Sequence, residues 1–162
     1  MAHVELSLSE SFAPQPGSPS ASASGSPSGS PADPPADGGM RCWVRSVGTA
    51  NEPCLVLDGD ARIVAASPSC HDLLGLGAPG SAVGRHLLDG VRLVDFTAAR
   101  EALTEVEVET TPPLLALSSG RLARGLMRVH DGADFAATVD AISTPLSEDG
   151  KVVGSLTFFA PI

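Results

Sequence analysis

Apolar and polar positions alternate in short runs along this chain, punctuated by three Asp-Gly pairs: Asp58-Gly59, Asp131-Gly132 and Asp149-Gly150. Each pair lies between runs rich in Val, Ile, Leu and Phe. Asp-Gly supplies the positive backbone dihedrals of tight antiparallel turns, so each predicts a hairpin. Around the first, Cys54 to Leu57 and Arg62 to Ala66 read as strands. Around the other two, the strands are Leu126 to His130, Phe135 to Ser143 and Lys151 to Phe159, the last two joined at Leu146 to Gly150. Within Phe135 to Ser143, polar Thr138, Asp140 and Ser143 interrupt Val139 and Ala141, the pattern of a strand with one wet face. In the final strand Leu156 and Phe158 share one face, and Val153 and Phe159 are assigned to the other. A sheet with apolar groups on both faces needs cover on its outer side, and dimerisation is the usual cover.

Helices are signalled between the two groups of strands. Ser67 is an N-cap with Pro68 at the first helical position, Cys70, Leu73 and Leu74 fall at helical spacing, and Gly75 supplies the left-handed stop. Val83, Leu87 and Leu88 predict a second short helix ended by Gly90, followed by an apolar extended segment from Val91 to Phe96. Thr97 to Thr111 reads two ways. Thr97 caps a helix bearing Ala98, Ala99, Ala102 and Leu103, yet Glu105 to Glu109 alternates like a strand with its glutamates on one solvated side. Thr111-Pro112-Pro113 opens a further helix through Leu114, Leu115 and Leu117 that closes at Gly120. Upstream, Met40, Trp43, Val44 and Val47 line one face of a short amphipathic helix, which caps the domain or packs against a second copy of it.

Composition divides the chain into residues 1–39, 40–52 and 53–162. Ala13 to Gly39 is almost entirely Ala, Pro, Gly and Ser, with too little apolar surface to offset the entropy of ordering, so a disordered tail is expected. Ahead of it, Val4, Leu6 and Leu8 alternate with polar residues, as in a peptide that pairs with a strand edge or in an unselected leader. The net charge is −9, and the tail holds Glu5, Glu10, Asp33 and Asp37 with no Lys or Arg. That balance argues against direct nucleic-acid binding, which needs a basic surface. No apolar run spans a bilayer and no signal peptide is evident, so a cytoplasmic, non-membrane protein is expected. Nine of the ten basic residues are Arg, a compositional hint of a high-GC bacterial genome. Cys42, Cys54 and Cys70 follow neither a redox-pair nor a zinc-ligand spacing, so free thiols are expected. Cys70, at a helix start, is the one to test for reactivity.

Taken in order, these segments resemble a PAS domain. Cys54-Leu55-Val56-Leu57-Asp58-Gly59-Asp60-Ala61-Arg62-Ile63-Val64 is similar to the family's opening hairpin. Ser67-Pro68-Ser69-Cys70-His71-Asp72-Leu73-Leu74-Gly75 resembles its first helix, Val83-Gly84-Arg85 its following Ile-Gly-Arg step, and Thr144-Pro145-Leu146 with Asp149 to Gly154 its last hairpin. The resemblance spans Pro53 to Phe159. Ser67 stands where the family usually has Asn, and Thr97 to Thr111 exceeds the usual connection. The resemblance implies an α+β fold: a five-stranded antiparallel sheet with short helices on one face, enclosing a small cavity. Relatives use the cavity for haem, flavin or metabolites, or fill it with side chains and serve in dimerisation.

Candidate sites follow from the residues. Leu57, Val64, Leu74, Leu88, Phe96, Leu117, Val139 and Leu156 are candidates for lining an apolar pocket, or are simply core. Trp43, Val47, Val153 and Phe159 are candidates for a dimer interface. Haem would need an axial ligand; the helix from Pro112 to Gly120 has no His, leaving His86 as the candidate, with His71 and His86 expected to face solvent. The flavin-binding Asn-Cys-Arg-Phe-Leu-Gln run of light-oxygen-voltage domains is absent around Cys70, and the chain has no Tyr for a photoactive chromophore. A small cone-fold enzyme is the alternative of another class, with Asp140 or Asp95 as base. The reading that results is a sensory or adaptor PAS module without catalytic residues, metal or required cofactor. It is expected to dimerise and to act through an unidentified bacterial signalling or transcription partner.

Overall fold

The computed structural model describes residues 39–97, 99, 101–130 and 136–162. Six strands form one antiparallel sheet: β1 (Cys54–Asp58), β2 (Ile63–Ala66), β3 (Arg92–Val94), β4 (Ala123–His130), β5 (Ala136–Glu148) and β6 (Lys151–Pro161). Their order is β2-β1-β6-β5-β4-β3. The front hairpin joins the rear meander through β1 and β6, where Leu55 lies opposite Thr157. The sixth strand, β3, adds to the five expected: the extended segment after Val91 pairs Leu93 with Val129 at the sheet edge. The tail and the Val4–Leu8 peptide lie outside the described residues, as does the Asp131-Gly132 turn, although β4 and β5 still pair across it, His130 opposite Ala136.

Two of the hairpin turns are described, and they are built differently. Asp149 (φ 49°) and Gly150 (φ 76°) are both left-handed, as a tight Asp-Gly turn requires. At the first turn the left-handed residue is Ala61 (φ 57°). Asp58 instead folds the loop with its side chain, Oδ1 accepting from the backbone N–H of Asp60 at 3.0 Å and of Arg62 at 2.8 Å. β5 runs on through Pro145, past the end expected from the sequence. Pro145 is tolerated because β4 ends opposite Ser143, so beyond that point β5 pairs with β6 alone.

Five helices are described. α2 (Pro68–Leu74), α3 (Leu87–Gly90) and α5 (Pro112–Ser119) contribute to the inner side of the sheet, where Leu55, Leu57, Ile63, Leu74, Leu87, Val129, Val139 and Phe159 form the main core. α1 (Met40–Gly48) crosses the outer face over β1 and β2, setting Val47, with Met40 and Val44, onto Cys54, Val56, Ala65 and Leu156. Gly154 of β6 permits this approach: a Cβ there would run into the Met40 side chain and the Leu57 carbonyl. α4 (Glu105–Glu109) corrects the strand-like reading of its alternating glutamates. Thr104 and Glu107 form a reciprocal capping box, with Glu107 Oε2 accepting from the Thr104 N–H at 2.9 Å, and this local pairing outweighs the alternation.

The helix starts were better marked. Ser67 caps α2 and also ties it to the sheet: its Oγ accepts from Cys70 N–H at 3.2 Å and Cys54 N–H at 3.0 Å, and donates to the Glu52 carbonyl at 2.8 Å. Ser67→Ala leaves the buried Cys54 N–H without that acceptor and is expected to cost about 1–3 kcal/mol in chemical denaturation. Leu57→Ala should cost about 2–5 kcal/mol, whereas Val106→Ala, on the exposed side of α4, should stay within about 0.5 kcal/mol.

Candidate functional site

The residues expected to line one apolar pocket do not converge. Leu57, Leu74 and Val139 are buried in the inner core, with Leu117 packed partly against it, while Val64 and Leu156 belong to the cluster on the opposite face under α1. Leu88 and Phe96 are exposed. The reason is the pleat: adjacent strand residues point to opposite faces, so a list of apolar strand positions mixes two sides of the sheet. The dimer candidates separate similarly. Val47 and Phe159 are core residues, Val153 packs partly against the outer cluster, and Trp43 stands exposed on α1. Val153 lies on the outer side with Leu156 because the β5–β6 register shifts there: Leu146 pairs with Gly154 but Ser147 with Val152.

Two surfaces remain as candidate sites. The first is the outer face beyond α1. There Leu126 (54 % exposed), Ile142 (38 %) and Phe158 (44 %) lie bare on adjacent strands. Ile142 is directly opposite Phe158, and Leu126 is opposite Asp140. Among them sits a charge pair: Arg124 Nε donates to both carboxylate oxygens of Asp140 at 3.1 Å. The Arg124 guanidinium holds the Asp140 carboxyl below its ordinary range, chiefly through this hydrogen bonding. Asp140 is thus the ion-pair partner of Arg124 in this structure. Asp95 is equally engaged, its carboxylate accepting from Thr97 Oγ1 at 2.7 Å and from the Glu101 N–H at 3.1 Å.

The second is a cleft of about 690 Å³ between α3, β3, α4 and α5. Val91, Leu93, Leu103 and Leu114 give it an apolar lining, His86 and Arg92 stand on the α3–β3 side, and Glu105 and Glu109 on α4. His86 caps α3, its Nδ1 accepting from the Leu88 N–H at 3.3 Å, which leaves Nε2 as the ring atom available to a ligand. A smaller hollow of about 420 Å³ shares Glu109 and Leu114 and extends along α5 to Leu117 and the β1–β2 turn. Of the pocket candidates, only Leu88 lines the cleft and only Leu117 the hollow. The missed signal was the Thr104-x-x-Glu107 capping box, which fixes α4 and so the acidic wall.

Two further titratable groups, His71 and Cys70, are buried. His71, expected to face solvent, is 4 % exposed, and its Nδ1 has no hydrogen-bond partner among the described residues. Cys70 is buried and its thiol is pushed up to about 12, first by burial and then by the neighbouring Cys54. Its place at a helix start therefore confers no reactivity. Among the described residues, no group of His, Cys, Asp and Glu is placed to hold a metal ion. No described helix is long and apolar enough to cross a membrane.

Two measurements check these assignments. A thiol-specific colorimetric reagent should titrate exposed Cys42 in the native protein and reach Cys54 and Cys70 only on unfolding. In a carboxyl NMR titration, Asp140 should protonate below the usual carboxylate range and move upward in Arg124→Gln. The sign follows from its depressed folded value: the pair's small stabilisation is complete above the unfolded carboxylate pKa and fades as pH falls through the folded one.

Comparison with known proteins gives a consistent answer at the level of fold. No family model matches the sequence, and no curated protein matches it. Among solved structures, the chain is similar to the PAS domain of a protein from Colwellia psychrerythraea, with 14 % identity, a TM-score of 0.54, and 76 % of this chain and 96 % of that one covered. A light-oxygen-voltage protein of Rhodobacter sphaeroides gives 15 % identity and a TM-score of 0.55 over 74 % of this chain and 64 % of that one. The VqmA dimer of Vibrio cholerae, described with LuxR-type receptors, gives 17 % identity and a TM-score of 0.52; the match covers 74 % of this chain and half of that one, 50 %. The strand order, the helices on the inner face and these neighbours agree that the described residues of this chain form a PAS domain fold.

Proposed function

We propose that this chain is a sensory signalling module that pairs with a second copy through the outer face of its sheet and passes its state to a partner protein. The observation that carries this reading is the half-covered outer face. α1 shields the β1–β2 side, while Leu126, Ile142 and Phe158 remain exposed across β4, β5 and β6. A patch of large apolar side chains across contiguous strands marks an interaction surface. Arg124 and Asp140 put both signs of charge within it, so the patch can meet its own copy about a two-fold axis with opposite charges facing.

The neighbours support the same direction. VqmA is described as a dimer, as binding target DNA and, in another structure, as bound to DPO. For this chain, a net charge of −9 directs the output to a protein partner in signalling or transcription, since phosphate contact needs basic surface. A binding role also fits the two carboxylates considered as bases, both of which are spent on structural contacts.

Analytical ultracentrifugation tests the pairing. The full chain should sediment as a dimer. Phe158→Glu or Ile142→Glu should raise the dimer Kd by about tenfold or more, the loss expected at a central apolar anchor, with little change in thermal melting. Val83→Glu, 52 % exposed on the connection between α2 and α3, should leave the dimer intact. A wild-type monomer, or a dimer indifferent to both face substitutions, would refute the reading.

A further inference from the structure

The cleft between α3, β3, α4 and α5 has opposite charges on opposite sides and an apolar lining between them. The Arg92 guanidinium, on the edge strand, has no hydrogen-bond or ion-pair partner among the described residues. Beside it His86 is fixed by its cap with Nε2 uncommitted. Across the cleft, Glu105 and Glu109 are four residues apart on α4 and therefore one above the other on a single helical face. Glu107, between them, is occupied by the Thr104 cap, whereas the Glu105 and Glu109 carboxylates accept no hydrogen bond among the described residues. Although Arg92 and the two glutamates line one cleft, they close no ion pair across it, so the walls stand apart.

We infer that this cleft binds a short apolar peptide with free ends, its carboxylate on Arg92 and His86 and its ammonium on Glu105 and Glu109. A ligand with one charge would leave the other wall's ions partly desolvated and unpaired, which is costly. A ligand with charges at both ends satisfies both walls at once. Three extended residues span about 10 Å, and the cleft volume of about 690 Å³ lies within the range of small-ligand sites. The apolar side chains would lie on Leu93, Leu103 and Leu114. α4, which supplies the acidic wall, comes from Thr97 to Thr111, where this sequence departs from the PAS pattern, and the apolar lining is the margin of the inner core, which includes Val91 and Leu93 and against which Leu103 and Leu114 pack.

The inference takes its purpose, a ligand for a sensory module, from the reading above, but its chemistry is tested independently. Isothermal titration of the full chain uses four forms of leucyl-alanyl-leucine: free, N-acetylated, C-amidated and doubly capped. The free peptide should bind most tightly, each cap weakening it by about threefold, the size of a partly exposed ion pair. Arg92→Gln should weaken the free and N-acetylated forms but not the amidated one. Glu105→Gln with Glu109→Gln should weaken the free and amidated forms but not the acetylated one. A doubly capped peptide that binds as tightly as the free one, equal effects of the variants on all four forms, or no saturable binding of any form would overturn the inference. Sedimentation and titration of the same wild-type sample separate the two readings, since a chain that binds the free peptide yet sediments as a monomer sinks only the pairing, and a dimer that binds none of the peptides sinks only the cleft.

Discussion

The structure depends on one constraint: its sheet is apolar on both faces, so each face must be covered by something. The inner face is closed by α2, α3 and α5 over a continuous core that reaches from Leu55 on β1 to Phe159 on β6. The outer face carries its own smaller core, Val47, Val56, Ala65, Leu146 and Leu156, and α1 is long enough to cover only that half. The helix is nine residues, about 14 Å at the rise of an α-helix. Strands in a sheet lie about 4.8 Å apart, so such a helix shields about three strands and leaves Leu126, Ile142 and Phe158 exposed.

Polar contacts fix how the layers meet. Ser67 joins the start of β1 to the start of α2 through one buried hydroxyl. Ser155 does the corresponding work on the other side, donating to the Pro113 carbonyl at 3.1 Å and so anchoring α5 to β6. Ser143 and Thr157 pair across β5 and β6 at 2.8 Å. Each buried hydroxyl is satisfied by a group on a neighbouring element, so these contacts specify register and docking where apolar packing alone would tolerate slippage.

Much of this fold was legible because its signals are local. Asp149-Gly150, the Ser67-Pro68 start, the Thr111-Pro112-Pro113 start and the Gly75 and Gly120 stops depend on backbone chemistry within a few residues, and each took the form its residues dictate. The face assignments were less accessible. Val153 and Phe159 both looked outward by simple alternation, but a register shift in the β5–β6 pair puts only one of them there. Phe158 and Ile142 face each other across strands, which depends on a pairing between distant segments. The cleft was hidden for a similar reason: Arg92 and Glu105 share it only because β3 pairs with β4 and thereby brings its neighbourhood against α4. Among the candidate residues, Trp43 alone was both placed on α1 by periodicity and found exposed there.

On the proposed pairing, a second copy of the chain closes the uncovered half of the outer face. Isotope-filtered NOE spectroscopy on an equal mixture of labelled and unlabelled protein reads that contact directly. With that pairing, intermolecular NOEs are expected from the methyl groups of Leu126 and Ile142 and from the ring of Phe158. Intermolecular NOEs confined to the helical side, or none at all from a sample shown to be dimeric, would contradict it.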